Sequence, residues 1–168
     1  MQALKPFKIV SGGQTGADRA ALDWALARGW PHGGWCPADR RAEDGTLDPR
    51  YGLRPTPSEN VAQRTEWNVR DSDATLIVSV EPLLSGGSRL TQVLAEQRAK
   101  PCLHLSGDLA AALAAELLRG FVAHHRVKIL NVAGPRATKE AGVYDLTWKL
   151  LERAFGPEAK GGNIGKAV

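Results

Sequence analysis

The sequence predicts a three-layer, Rossmann-like α/β domain: a mainly parallel sheet of about five strands with helices on both faces. Short apolar runs bounded by glycine or proline alternate with longer helical periods through residues 7–155. The run ATLIVSV at 74–80 is β-branched and unbroken, the pattern of a strand covered on both faces. Glycine-rich turns follow two of the apolar runs and lead directly into helical periods, as they do where strand ends border a ligand crevice.

The elements follow in order. Phe7–Val10 is the first strand, closed by Ser11-Gly12-Gly13, and Thr15–Arg28 reads as an amphipathic helix. GGWCP at 33–37 is a candidate second strand. Residues 37–59, PADRRAEDGTLDPRYGLRPTPSE, form a connection rich in Pro, Gly and charge. Connections longer than about 15 residues are usually lids or lack order. A helix from Ser58 or Asn60 to Arg70 leads into the strand 74–80, and Ser88–Ala99 into the strand PCLHL at 101–105. A helix over Asp108–Leu118 precedes the strand VKILNV at 127–132. Gly134-Pro135 ends that strand, and Pro135 suits the first position of a last helix, Arg136–Phe155. Strand alternating with helix at these lengths implies right-handed crossovers and a parallel sheet. Residues 1–155 form one ligand-binding domain, and 156–168, which lack periodicity, a flexible tail.

Composition bounds the function. The chain has 168 residues, 43% hydrophobic and 24% charged, enough for one domain with a proper core. A net charge of +4 favours anionic ligands but is too dispersed, with no aromatic-rich basic groove, for nucleic acid. MQALKPFKIV has no signal-like apolar run, and no stretch approaches the roughly 18 apolar residues of a membrane span, so a cytoplasmic protein is expected. Cys36 and Cys102 lack metal-site or CxxC spacing and read as reduced structural thiols.

Three turns would reach the carboxyl edge of the sheet, where helix starts leave N–H groups unpaired and the helix dipole is positive. In the first, Gly12, Gly13 and Gly16 allow close approach to a ligand, while Ser11, Gln14 and Thr15 offer polar contacts. Asp18 either complements the helix dipole or meets a ribose hydroxyl or ring N–H, and Arg19 either pairs with it or meets a phosphate. The second turn runs Ser85-Gly86-Gly87-Ser88 ahead of Thr91; Ser88 is an N-cap or part of an anion nest. In the third, Gly134 precedes Arg136, a phosphate fork or a salt-bridge partner. None of these is GxGxxG or a Walker A loop, which argues against dinucleotide binding and phosphoryl transfer. Arg64, Asn68 and Asp71 share one helix face, either solvated or aimed at the crevice. A side chain added at Gly13 or Gly87 is expected to take the anion's place.

The segments SGGQTGADRAALDWA, GGWCPADRRAEDG, RTEWNVRDSDATLIV, SGGSRLT and NVAGPR, in that order over roughly residues 8–155, resemble the putative molybdenum carrier family. That family is a branch of a Rossmann-like superfamily that also holds the lonely-guy phosphoribohydrolases and bacterial DNA-processing proteins. The resemblance implies a five-stranded domain, commonly homo-oligomeric, whose crevice takes a nucleotide derivative or the pterin of molybdenum cofactor (molybdopterin). Carried over residue by residue, the binding positions are Gly12, Gly13, Thr15, Gly16, Asp18, Arg64, Asn68, Gly86, Gly87, Ser88 and Thr91. Gln14, Arg19, Gly134 and Arg136 join them from the reading of the turns. One departure matters: the lonely-guy signature Pro-Gly-Gly-x-Gly-Thr-x-x-Glu ends on a carboxylate where this chain has Val93. Glycosidic hydrolysis then lacks its evident acid or ribose contact unless Glu43 or Asp44 substitutes.

The sequence thus predicts a carrier of a small phosphorylated ligand, without nucleic acid, membrane or directly coordinated metal. Any molybdenum would be held by the pterin's own dithiolene. The alternative is a nucleotide hydrolase using a carboxylate of the 37–59 connection; no catalytic residue is assigned.

Overall fold

In the computed structural model, which describes residues 5–160, five parallel strands form the central sheet. They are β1 (Lys8–Val10), β2 (His32–Gly33), β7 (Ala74–Ser79), β8 (Cys102–Ser106) and β9 (Ile129–Ala133), in the order β2-β1-β9-β7-β8. β1 pairs with β9 from Lys8↔Ile129 to Val10↔Asn131, and β7 with β9 from Ala74↔Leu130 to Ile77↔Ala133. Five helices cover it: α1 (Ala17–Arg28), α2 (Val61–Arg70), α3 (Gly86–Gln97), α4 (Ala111–His124) and α5 (Val143–Phe155). The predicted class is the observed one. Among the described residues no helix is long and apolar enough to cross a membrane.

The two faces differ in chemistry. Ala74, Leu76 and Val78 of β7, with Leu105, Leu130 and Val132, pack against Trp24 of α1, Leu118 and Val122 of α4, and Leu150, Leu151 and Phe155 of α5. Strand side chains alternate, so Thr75, Ile77 and Ser79 point the other way, toward α2 and α3. There the buried set is largely polar: Thr65, Asn68 and Ser72 around α2, Ser88 and Thr91 of α3, Thr75, Ser79 and Asn131 of the sheet. Hydrogen bonds satisfy most of it, as where Asn131 donates to Thr75 at 3.3 Å and Ser79 pairs with His104 at 2.6 Å.

Several boundaries depart from the sequence reading. The candidate strand 33–37 divides: His32–Gly33 joins the sheet, while β3 (Trp35–Cys36) leaves it to pair with β6 (Arg54–Pro55). Gly34 makes the break, with φ 128° and no room for a side chain, since a Cβ would lie 2.4 Å from the Ser11 carbonyl oxygen. The connection after residue 37 is ordered. It contains the hairpin β4 (Arg41–Ala42) and β5 (Gly45–Thr46), a 3-10 turn over Pro49–Tyr51, and β6. Leu47, Tyr51 and Leu53 bury with Leu22 of α1 and Cys36 in a small second core.

The last helix begins at Val143, so Pro135 is not its first residue. Residues 134–136 are irregular and 137–142 form turns, tethered where the Glu140 carboxylate accepts the Val80 N–H at 2.7 Å. α4 runs to His124, past the expected end at Leu118. Within the expected tail, Pro157–Lys160 is a 3-10 turn; 161–168 lie outside the described residues.

Candidate functional site

The three predicted turns meet along the carboxyl edge of β1, β9 and β7. Two contacts place them side by side. Ala17 donates its N–H to the Pro135 carbonyl at 3.4 Å, joining the first turn to the third. Lys139 of the third turn reaches the start of α3, where a Cβ on Gly86 would stand 2.8 Å from its ammonium.

The first turn is buried, not open. Ser11 fixes it by donating from its hydroxyl to the Val132 carbonyl at 2.6 Å. Gly13 (φ 82°) lies under Leu47 and Leu53 of the ordered connection, and the Arg64 guanidinium lies across Gly12. The chain itself occupies part of the turn. The Gln14 N–H donates to Asp18 at 3.3 Å, and the Thr15 N–H to the Gln14 side chain at 2.9 Å. Among the described residues the N–H groups of Gly12 and Gly13 donate to no protein acceptor, and neither do those of Gly86, Gly87 and Ser88 at the start of α3.

Arg64 is the unusual side chain of this site. Its side chain is 15% exposed, its Nη1 donates to Thr65 at 3.1 Å and lies 3.8 Å from the Asp18 carboxylate. Among the described residues its Nε is buried without a partner. A buried donor left unmade costs about 1–3 kcal/mol, more when charged, so this guanidinium is a candidate contact for an acceptor. Burial pushes the Asp18 carboxyl above its ordinary range, against the pull of Arg64.

Other predicted residues have structural work. Asn68 turns its amide to the backbone of β3, accepting the Trp35 N–H at 2.8 Å and donating to its carbonyl at 3.0 Å. Thr91 donates to the Gly87 carbonyl at 2.8 Å within α3. Ser85 sits at the N-cap of α3 without a side-chain bond, and Ser88 is buried in its first turn. Gly134 serves packing: a Cβ there would lie 2.2 Å from the Val78 carbonyl oxygen and 2.6 Å from Ala17. Gly16 (φ 80°) lies as close to the third turn, 2.4 Å from the Pro135 oxygen by the same measure. Gly87 faces open space.

Two carboxylates of the β4–β5 hairpin reach the rim. Asp44 takes a two-pronged bond from Arg19 at 2.8 and 3.0 Å, and Arg19 also holds the Gly13 carbonyl. Glu43 accepts from the hydroxyls of Thr15 and Thr138 and faces Arg136 at 3.3 Å. Hydrogen bonding from Thr138 and Thr15 holds the Glu43 carboxyl below its usual range; that from Arg19 does the same for Asp44. The sequence reading raised these carboxylates only as substitutes for a missing glutamate, and it missed Thr138 and Lys139. Their partners lie too far along the chain for any local pattern to announce them.

A concave region of about 1610 Å3 lies elsewhere, along α4 and α5 beside Leu109, Arg119, Leu146 and Trp148. Size alone would favour it. It contains none of the rim residues and no orphaned polar group, so the chemistry favours the rim. Among the described residues no three His, Cys, Asp or Glu side chains gather to hold a metal ion.

Comparison with known proteins agrees with this architecture. Residues 9–155 match the circularly permutated YpsA SLOG family. A crystal structure from Syntrophus aciditrophicus SB, of a protein named putative molybdenum carrier protein, is 48% identical to this chain. It superposes with a TM-score of 0.86, over 89% of this chain and 94% of its own. No curated protein matches the chain.

Proposed function

Since the chain belongs to the circularly permutated YpsA SLOG family, we propose that it is a carrier whose glycine rim holds the phosphate of a nucleotide-like or pterin ligand. One observation carries this reading: among the described residues the buried Arg64 Nε has no acceptor, and its guanidinium lies across Gly12, whose N–H, like that of Gly13, donates to no protein acceptor. A guanidinium and backbone amides form a donor set that suits a phosphate oxygen. The α3 start, with Lys139 above it, adds a second patch of positive potential on the same edge.

The name of the structural neighbour makes molybdenum cofactor one candidate ligand. The residues fit its phosphate end, since they supply amides, hydroxyls and guanidinium groups but no thiolate or imidazole cluster. Bound there, the group would carry molybdenum on its own dithiolene. Arg64 and the Gly12–Gly13 amides would hold the phosphate, and Asp18 would orient Arg64.

The hydrolase alternative draws on the position of Glu43 and Asp44 at the rim. Both carboxyls are held low by hydrogen bonds, which makes them weak proton acceptors and poor general acids near neutral pH. Incubation with a panel of nucleoside monophosphates separates the readings: a carrier binds without releasing free base.

The direct test is native mass spectrometry of freshly purified protein for a retained anion, followed by titration with nucleoside monophosphates and a pterin phosphate. Arg64→Met should weaken binding about ten-fold or more, the worth of a charge-assisted hydrogen bond, and Arg64→Lys should restore only part of it. Binding unchanged in Arg64→Met, or no saturable binding by the wild-type chain, overturns the proposal.

A further inference from the structure

The Glu43 carboxylate is surrounded by four donors. Its oxygens accept from the Thr15 hydroxyl, from the Thr138 hydroxyl at 2.6 Å and from the Thr138 N–H at 3.3 Å, and Arg136 Nε stands 3.3 Å away. Thr15 is itself positioned by the Ala137 N–H at 3.1 Å. Two hydroxyls, a backbone amide and a guanidinium are the donors a tetrahedral oxyanion would use. They come from two different turns of the rim, β1–α1 and β9–α5, and the carboxylate that joins them comes from a third element.

That element is tied down chiefly at its tip. Glu43 and Asp44 are the two turn residues of the β4–β5 hairpin; Arg41, Glu43, Asp44 and Thr46 are exposed. The tip is held by Glu43 in the donor set, by the Glu43 N–H on Gln14 at 2.9 Å and by Asp44 on Arg19. Apart from that Glu43 bond, among the described residues the hairpin backbone makes its own ladder, the bond from Arg41 N–H to the Asp39 carboxylate at 3.2 Å and the bond from Leu47 N–H to the Arg40 carbonyl at its base.

We infer that Glu43 is a resident stand-in for a ligand oxyanion: phosphate or molybdate competes with its carboxylate for Thr15, Thr138 and Arg136, and binding there frees the β4–β5 hairpin from the rim. This rests on the reading of the rim as an anion site and adds to it a subsite distinct from Arg64, together with the movement that opens it. A site filled by the protein's own carboxylate for nine-tenths of the time or more lowers apparent affinity about ten-fold or more. Removing the carboxylate returns that factor.

The experiment titrates inorganic phosphate and sodium molybdate separately into the wild-type chain, Glu43→Ala, Glu43→Gln and the double variant Glu43→Ala/Thr138→Val. It follows tryptic cleavage after Arg40 and Arg41 as a readout of the hairpin, with circular dichroism to verify folding. Glu43→Ala should bind phosphate, molybdate or both about ten-fold more tightly than wild type, the stronger of the two naming the oxyanion. Glu43→Gln, which keeps the hydroxyl contacts and loses the charge, should gain less. The double variant should lose the gain. Saturating oxyanion should raise the wild-type cleavage rate to that of Glu43→Ala.

Affinities unchanged by Glu43→Ala, a gain that survives Thr138→Val, or a hairpin whose cleavage ignores the oxyanion each overturn the inference. If Arg64→Met abolishes nucleotide binding while Glu43→Ala changes nothing, the rim reading stands and the stand-in falls. If Arg64→Met has no effect while Glu43→Ala gains affinity that needs Thr138, the stand-in holds and the Arg64 reading falls.

Discussion

At the residue scale, the glycines of the rim separate into those that keep the backbone close to another backbone and those that keep a surface open. Gly134 is of the first kind. Gly134→Ala forces a Cβ to within 2.2 Å of a strand carbonyl and should destabilise the fold by about 1–3 kcal/mol or more, read as a lower midpoint in urea. Gly87→Ala meets nothing and gains helix propensity, so it should stabilise by up to about 1 kcal/mol in the same measurement. Equal effects at the two positions would contradict this division. Gly13, by contrast, cannot serve as a clean probe of ligand binding. It combines φ 82° with Leu53 only 2.5 Å from an added Cβ, so Gly13→Val would disturb the covering connection before any ligand entered. A glycine is legible in sequence as a permissive position, but whether its permissiveness serves backbone packing or a ligand depends on what lies opposite it.

At the element scale, α2 shows how a polar stripe divides its labour. Arg64, Asn68 and Asp71 share a face, as their spacing requires. Arg64 goes to the rim, whereas Asn68 and Asp71 fasten β3: Asn68 to the Trp35 backbone and Asp71 to the Trp35 indole at 2.7 Å. Arg70 and then Trp35 hold the Asp71 carboxyl down at about 2. A depressed carboxylate contributes stability above the ordinary carboxylate range and loses it as the pH falls through the folded value. Thermal midpoints of wild type and Asp71→Asn should therefore differ near neutral pH and converge as the pH drops from about 4 to 2. A gap that persists at pH 2 would contradict this. The other end of α2 is finished by Lys100, whose ammonium bonds the Val69, Arg70 and Ser72 carbonyls and so satisfies groups that a helix end leaves open. Periodicity located this helix; nothing in it distinguished the arginine that faces a ligand from the asparagine that faces a strand.

At the scale of the whole molecule, apolar burial is concentrated on one side of the sheet. The main core joins β1, β7, β8 and β9 to α1, α4 and α5 and includes no residue of α2 or α3, which lie over the polar layer. Local opening should follow that division, because a helix anchored by few apolar contacts detaches at lower cost. Hydrogen exchange followed by mass spectrometry should find α1 and α5 more protected than α3, with the β4–β5 hairpin the fastest; protection of α3 equal to that of α5 would contradict it. The asymmetry also leaves the side of the sheet toward α2 and α3, flanking the rim, the more adaptable one. Strand and helix alternation, a central parallel sheet and the glycine turns at strand ends were set by the sequence alone, because hydrophobic period and glycine φ preference act over a few neighbouring residues. The break at Gly34, the strand order β2-β1-β9-β7-β8, the pairing of Asn68 with Trp35 and the seating of Glu43 between Thr15 and Thr138 were decided only by tertiary structure. These depend on partners 23 to 121 positions apart, from Gly34 with Ser11 to Lys8 with Ile129, and at that separation burial and hydrogen-bond geometry in the folded chain choose among many residues of similar local character.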